Sequence, residues 1–236
     1  CFELPYKRLH STDEYELMDV LRFIEKELYL VDRFNSIEIN DLVDTEILPC
    51  IDEVILNKLM ERIINHTINA DELIATIEKR RTMVWYEEYE QYYSALMQVA
   101  YMQKFHDRYM SGFHHTKGKD IWESYTKEYY LMDTYYRKFH VAFAKSLTDS
   151  KQMLDDNFRN VVDEVEALYK NWYLDELAEN FTNVIQEDLA NNGEIEGINT
   201  QSGFYQRVVS SYDSKVFVII SDALRYEVAT SIAEQL

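Results

Sequence analysis

The sequence has few residues that break helices, since its 236 residues include only five glycines and two prolines. So few of these residues over such a length predict long helices joined by short loops. Cysteine is equally scarce: Cys1 and Cys50 are the only two, and their spacing matches no metal or redox motif. We therefore interpret both as reduced, structural residues of a cytosolic protein.

Positive charge is also scarce, because 24 Lys and Arg residues face 43 Asp and Glu residues, for a formal net charge of −19. Binding to a phosphate backbone needs clustered Lys and Arg. We therefore do not expect this acidic segment to bind nucleic acid itself, although it could reach nucleic acid through a complex. No apolar run approaches the roughly 18 residues that span a bilayer, so no membrane partner is expected.

Aromatic residues are abundant, at 14% of the chain with 19 tyrosines. Their spacing of three and four residues predicts two long packed helices, over about 83–109 and 120–145. Further periodic stretches predict helices over about 11–33, 50–65, 69–77, 150–173 and 201–212, with a polar linker at 191–199. Residues 174–190 either continue the helix before them or form a separate one. Ser11 with Glu14, and Asn69 with Glu72, have the separation of a capping box.

The last 22 residues change in character. Val216–Ile220 is a short, continuous apolar run, which predicts a strand buried on both faces, as in a parallel sheet. The helical spacing of Leu224, Val228, Ile232 and Leu236 follows it. Asp222 therefore lies at the carboxyl end of the predicted strand, where open α/β sheets bind ligands, and its carboxylate is a hard donor for a divalent cation. Its alternative role is to cap the following helix.

A lone strand needs neighbours for its backbone donors and acceptors, and the rest of the chain offers no partner strand. Cys1 is not a start methionine, and Leu236 lies within the predicted helix. We therefore expect most of an α/β domain to lie beyond residue 236. The predicted fold is mainly α: an up-and-down helical array, followed by the first strand and helix of a truncated α/β domain. The predicted segments are a helical segment at 1–80, an aromatic-rich helical domain at 81–213 and the start of the α/β domain at 214–236.

The segment VFVIISDALRYEVA, residues 216–229, resembles the opening of the PglZ domain, which belongs to the alkaline phosphatase superfamily. Three helical segments resemble what precedes that domain in the phosphatase-like protein of BREX phage-defence systems. They are WYEEYEQYYSAL (85–96), YYLMDTYYRKFH (129–140) and LYKNWYLDEL (168–177). The resemblance covers nearly the whole chain, and residues 217–229 are its specific part.

The resemblance implies a bimetallic hydrolase in which Asp222 matches an aspartate that binds one of two divalent cations, Zn, Mn or Mg. The Ser or Thr nucleophile and the later Asp and His ligands would lie past Leu236. Thr230 and Ser231 sit on the predicted helix and are assigned no chemistry. We therefore expect this segment to bind no metal and to have no phosphatase or nuclease activity by itself. The resemblance further implies a cytoplasmic protein whose helices support the catalytic domain and bind other phage-defence proteins. It leaves the substrate open among phosphomonoesters, phosphodiesters, sulfates and phosphonates.

Other candidate sites are interpreted as structural. His114 and His115 would need His106 and Asp120 to bind zinc, and Glu87 with Glu90 is interpreted as a solvated acidic face. The remaining histidines, His10, His66 and His140, are isolated in the sequence. The alternative function is a non-catalytic helical interaction module whose terminal strand adds to the sheet edge of a partner.

Overall fold

A computed structural model describes residues 11–149 and 152–236, and this part of the chain is mainly helical, as predicted. In chain order the helices are α1 (Ser11–Glu27), α2 (Leu30–Phe34), α3 (Ile39–Leu42), α4 (Cys50–Ile64), α5 (Ala70–Arg80), α6 (Glu90–Tyr109), α7 (Gly118–Ser124), α8 (Tyr130–Ser146), α9 (Gln152–Glu166), α10 (Asp175–Asn192), α11 (Phe204–Arg207) and α12 (Tyr226–Ala233). Short 3₁₀ turns are found at Tyr86–Tyr89, Leu147–Asp149, Gln201–Gly203 and Val209–Ser211, and π-helical segments at Tyr125–Tyr129 and Ala167–Leu174.

The predicted strand at Val216–Ile220 is not formed, and no residue of 11–149 or 152–236 lies in a strand. The side chains of Ile219 and Ile220 are 93% and 90% exposed. The physical reason is that a strand needs a neighbour to pair its backbone groups, and this part of the chain supplies none. The helix predicted after it is present as α12.

Two of the predicted helices are broken. The stretch predicted as one helix at 11–33 is divided at Tyr29, whose φ of 51° lies in the left-handed region and ends α1 before α2 begins. Residues 201–212 form two 3₁₀ turns around the short helix α11 rather than one helix. The capping box at Ser11 and Glu14 concerns side chains outside the described residues.

Residues 174–190 continue the helix that precedes them. The π-helical segment Ala167–Leu174 begins directly after α9, and α10 begins directly after that segment. Residues 152–192 are therefore helical throughout, although the type of helix changes twice. α10 ends where the predicted linker begins, at Gly193, whose φ of 68° is the left-handed conformation that commonly closes a helix.

The chain divides into two compact units. The first comprises the chain up to Phe105 together with Tyr135–Ala167, and the second comprises His106–Thr134 and Leu168–Leu236. The predicted division at residues 80 and 213 stays a prediction. In the part of the chain that the structure describes, no helix has both the length and the apolar character to cross a membrane.

The core of the first unit is built around α4, which packs against α2, α3 and α9. Nine of its residues are buried: Cys50, Ile51, Asp52, Val54, Ile55, Leu56, Leu59, Met60 and Ile63. The next helix, α5, begins with the predicted cap, since the side chain of Asn69 accepts a hydrogen bond from the backbone N–H of Glu72 at 2.9 Å. The side chain of Glu72 instead accepts a hydrogen bond from Arg62, at 2.6 Å.

In the second unit, the loop after α6 is fixed to α10. The side-chain oxygen of Asn180 accepts a hydrogen bond from the N–H of His115, and its amide donates to the carbonyl of His115, both at 3.1 Å. Phe113 is buried in the same loop, with ring-centroid distances of 4.7 Å to Tyr129 and 5.5 Å to Tyr109. These contacts give this unit a rigid aromatic centre.

Candidate functional site

Asp222 lies in an exposed turn that joins residues 215–220, which have no regular secondary structure, to α12. The next residue, Ala223, has a φ of 56°, in the left-handed region that residues other than glycine rarely adopt. Arg225 occupies the N-cap position of α12, so Asp222 does not cap this helix. The assignment of Asp222 as a metal ligand stays a prediction.

Residues 225–227, which we call the docking segment, follow this turn and bind to other elements of the second unit. Arg225 donates from Nη2 to Oδ1 of Asp133 and to the hydroxyl of Tyr169, both at 3.3 Å. Its Nε lies 2.9 Å from Oε1 of Glu227, which is fully buried. Tyr226 donates to the carbonyl of Thr126 at 3.0 Å. Arg225 and Tyr226 therefore join the turn that carries Asp222 to the helices, and the buried Glu227 pairs with Arg225.

The docking segment meets a buried carboxylate surrounded by phenols, here called the Asp133 cluster (Asp133, Tyr125, Tyr169 and Tyr173). Oδ2 of Asp133 accepts hydrogen bonds from Tyr125 at 2.8 Å and from Tyr173 at 3.4 Å. Oδ1 accepts one from Tyr169 at 2.5 Å and one from Arg225. Oδ1 thus has two donors, whereas Oδ2 is held mainly by Tyr125, because Tyr173 shares its single hydroxyl hydrogen with the nearer carbonyl of Tyr129. These hydrogen bonds hold the negative charge of Asp133 in contact with the docking segment.

Two π-helical segments contribute the tyrosines of this cluster. Tyr125 lies in the first segment, and Tyr169 and Tyr173 lie in the second. Hydroxyl groups also donate to two carbonyls of the first segment: Tyr173 to that of Tyr129, and Tyr226 to that of Thr126, each at 3.0 Å. Segments of π-helix are rare and are found frequently at functional sites. Here they aim side chains from two stretches of the chain at one carboxylate.

The environment keeps these phenols protonated. Burial raises the pKa of all three tyrosines of the Asp133 cluster well above that of a free phenol, and the charge of Asp133 adds to this effect. The pKa of Arg225 is raised chiefly by its hydrogen bond to Tyr169, and the charges of Glu227 and Asp133 contribute as well. The cluster and the docking segment thus combine phenols, a guanidinium and carboxylates, and none of these groups is placed here as a nucleophile.

Alkaline pH is expected to unfold the second unit. A phenol with a raised pKa binds its proton more tightly in the folded state, so its contribution to stability is complete below the unfolded pKa of about 10 and is lost above it. For Tyr109, whose burial and hydrogen bond to Glu128 raise the pKa to about 12, the loss falls between these two values. Tyrosinate absorbance and the circular dichroism of the helices should therefore change together. Ionisation of all the tyrosines near pH 10 with the helices intact would contradict this expectation.

The predicted zinc candidates do not form a site. Nε2 of His115 is hydrogen-bonded to the hydroxyl of Tyr129 at 2.8 Å, and the ring of His106 packs edge-on against Trp172 at 4.5 Å. His114 and Asp120 are exposed. Among residues 11–149 and 152–236, no group of three or more His, Cys, Asp or Glu side chains is placed to hold a metal ion.

The other candidates have ordinary structural contacts. The hydroxyls of Thr230 and Ser231 donate to the α12 carbonyls of Tyr226 and Glu227, at 3.0 and 2.9 Å, as such side chains commonly do on helices. Glu87 and Glu90 are exposed on the helix surface. Within the first unit, Nε2 of His66 lies 3.4 Å from Oε2 of Glu164, and Nε2 of His140 lies 2.9 Å from Oε1 of Glu166. His10 lies outside the described residues.

Sequence reasoning missed the Asp133 cluster. The tyrosines at 125, 169 and 173 belong to stripes that the spacing assigns to a packed core. Nothing in the spacing distinguishes Asp133 from the other polar residues. From the sequence alone, Arg225 and Glu227 are interpreted as charges paired with solvent or neighbouring subunits. One signal was available: Asp133 follows Tyr125 and Tyr129 at intervals of four, so it lies within an aromatic stripe. A carboxylate in that position needs donors if it is to be buried.

Comparison with known proteins gives two close matches. The chain is 32% identical over 232 residues to the alkaline phosphatase-like protein PglZ of Bacillus cereus (strain H3081.97), which covers 96% of this chain and 26% of that protein. It is 30% identical over 207 residues to the alkaline phosphatase-like protein BrxZ of Escherichia coli O9:H4 (strain HS), which covers 83% of this chain and 24% of that protein. No family model and no solved structure matches the chain.

The chain therefore spans about a quarter of the length of the curated relatives it matches. The similarity extends over nearly the whole of this chain, because the longer match leaves out only 4% of its residues. The resemblance to the PglZ family that the sequence indicates is thus confirmed over almost the whole of this chain.

Proposed function

We propose that this chain is the helical scaffold of a PglZ-type, metal-dependent phosphohydrolase-like protein and that it presents Asp222 as one ligand of a divalent cation. The observation that carries the proposal is the docking of residues 225–227, directly after the Asp222 turn, onto the Asp133 cluster. Metal ligands are held in place by neighbouring contacts, and a rigid helical unit is well suited to supply them. The names of both relatives support an alkaline phosphatase-like chemistry.

The donor set of this chain fits only part of a metal centre. Asp222 offers one exposed carboxylate, whereas stable sites for Zn²⁺ or Mg²⁺ use several ligands. The described residues alone therefore do not assemble a bimetallic site. Since the relatives are about four times as long, we propose that the nucleophile and the other ligands belong to the region that this chain does not span.

The exposed apolar run at Val216–Ile220 has a place in this proposal. In a full-length PglZ-type protein it would pair as the first strand of a parallel sheet, which would bury side chains that are between 36% and 93% exposed here. From the family resemblance we also propose a cytoplasmic role in BREX phage defence, with other defence proteins as partners. The acidic charge of the chain favours protein partners over direct contact with nucleic acid.

The same exposed run favours a second candidate function. On this alternative the chain is a non-catalytic interaction module, and residues 216–220 add as a strand to the sheet edge of a partner protein. Asp222 would then be a solvated turn residue. The two functions differ in whether Asp222 binds a cation.

Asp222→Asn in the intact protein that carries this chain is expected to abolish binding of Mn²⁺ measured by titration calorimetry. The substitution keeps the shape of the side chain but removes the negative oxygen that a hard cation requires. Asp213→Asn is the matched control, because it removes the same charge from an exposed position in the same segment, and it should leave the affinity unchanged.

The outcome separates the two functions. Loss of binding in Asp222→Asn alone supports the hydrolase-like function. Equal affinities for Mn²⁺ in the wild-type protein and in Asp222→Asn would instead favour the interaction module. Hydrolysis of a chromogenic phosphodiester by the same samples then tests whether the bound cation serves catalysis.

A further inference from the structure

We propose that Arg225 is a positioning residue, which holds the Asp222 turn in place by binding the Asp133 cluster; this proposal rests on the function proposed above. Arg225 is three residues from Asp222, and its guanidinium contacts two acceptors that lie far away in the sequence, Asp133 and Tyr169. It is the member of the docking segment that joins both buried carboxylates, since its Nε also faces Glu227.

The Asp133 cluster is suited to receive a guanidinium. The phenols of Tyr125, Tyr169 and Tyr173 fix the carboxylate from three sides, and one position on Oδ1 is left for a charged donor. Hydrogen bonds between charged groups are roughly twice as strong as neutral ones. Arginine can contact Asp133 and Glu227 at once because its donors point in fixed, divergent directions.

The contact matters for the turn because the short helix α12 depends on side-chain contacts of the docking segment, of which Arg225 supplies two hydrogen bonds and Tyr226 one. α12 has eight residues, and isolated helices shorter than about 12–15 residues are marginal in water. The first backbone hydrogen bonds of α12 end on Arg225 itself, whose carbonyl accepts from Val228 and Ala229 at 3.1 and 3.0 Å. Arg225 thus fixes the start of the helix and the end of the turn that carries Asp222.

A comparison of Arg225 with a buried arginine of the first unit supports this role. In the first unit, Arg80 pairs with Asp52, both side chains are fully buried and both belong to helices of the core. Arg225 is different, because its side chain is 56% exposed and it belongs to a segment after the long helices. An exposed arginine on a buried carboxylate that phenols already bind is a connection between segments rather than a requirement for the core.

The test uses the intact protein and the variant Arg225→Gln, which removes the charge but retains the length of the side chain. Because the replaced side chain is half exposed, the helices should remain folded. Hydrogen exchange of the α12 amides should become faster by about tenfold, as the loss of a charge-assisted hydrogen bond predicts. The affinity for Mn²⁺ should fall by about 10- to 100-fold, the usual effect of removing a residue that orients a metal ligand.

Two controls separate positioning from a general structural effect. Arg207→Gln removes an exposed arginine of the same unit and should change neither measurement. Arg225→Lys keeps the positive charge beside Asp133 and should restore part of the exchange protection and part of the affinity.

Each result decides the proposal. Faster exchange with weaker Mn²⁺ binding, both partly rescued by lysine, supports it. Unchanged exchange, unchanged affinity or no rescue by lysine overturns it, while the metal role of Asp222 stands if Asp222→Asn still abolishes binding. A wild-type protein that binds no Mn²⁺ overturns the proposed function and this proposal together.

Discussion

Arg80→Met is expected to lower the free energy of unfolding of the first unit by about 3–5 kcal/mol, because it leaves a buried carboxylate without its cation. Arg80 donates from Nε and Nη2 to the two oxygens of Asp52, at 2.9 and 2.6 Å. Its Nη1 donates to the carbonyls of Val43 and Thr45, at 3.0 and 2.6 Å. Tyr93 adds a hydrogen bond to Asp52 at 2.5 Å but brings no positive charge.

The pKa of Arg80 shows the same balance. Burial disfavours the cation, but the hydrogen bonds and charge of Asp52 outweigh burial and raise the pKa. Chemical denaturation followed by circular dichroism would measure the loss. Arg81→Met is the matched control, since it removes an exposed arginine one residue away and should change stability by less than about 0.5 kcal/mol. Equal losses in the two variants would show that the buried pair is not the cause.

The double variant Arg80→Met with Asp52→Leu should recover much of the stability. Replacing a buried ion pair by apolar residues of similar volume is often neutral, whereas removing one partner strands a charge. A double variant as unstable as Arg80→Met would mean that the lost carbonyl contacts to Val43 and Thr45 dominate. The experiment therefore separates the charge of Asp52 from the backbone contacts of Arg80.

The main helices were predictable because they follow regular apolar spacing. The stretch expected at 50–65 is α4, and the apolar residues at helical spacing within it, Val54, Ile55, Leu59 and Ile63, are all buried. The aromatic stretch at 83–109 corresponds to a 3₁₀ turn and α6. Packing on one face determines these elements, and one face is what spacing reports.

The break at Tyr29 could not be predicted in this way. A left-handed residue usually calls for glycine or asparagine, and a tyrosine there gives no warning in the sequence. The strand at 216–220 fails for a different reason. Its composition favours a strand, but strands form by pairing with neighbours, and spacing along one segment carries no information about them.

The Asp133 cluster was hidden by the π-helical segments. In a regular α-helix, residues eight apart, such as Tyr125 and Asp133, point in directions that differ by roughly 80°. The wider turns of Tyr125–Tyr129 change that relation, and the phenol of Tyr125 reaches Asp133 at 2.8 Å. The role of Asp222 stays a prediction, and sequence reasoning had no means to find what the neighbouring docking segment binds.

Phe158→Ala is the second substitution with a large expected effect, a loss of about 3–5 kcal/mol in the free energy of unfolding of the first unit. Phe158 lies on α9 and is fully buried. Its ring centroid is 5.0 Å from those of Tyr92 and Phe143 and 6.1 Å from that of Phe139. Alanine would remove the ring and leave a cavity between rigid aromatic side chains that have little freedom to close it.

Two further variants distinguish the cavity from a simple loss of apolar area. Phe158→Leu keeps most of the volume and should cost much less, about 1.5 kcal/mol or below. Phe23→Ala removes the same atoms from an exposed position in the same unit and should be nearly neutral. If leucine costs as much as alanine at position 158, the edge contacts of the aromatic ring, rather than the filled volume, stabilise α9 against its neighbours. Denaturation of the three variants side by side therefore reports which property of the aromatic core holds the first unit together.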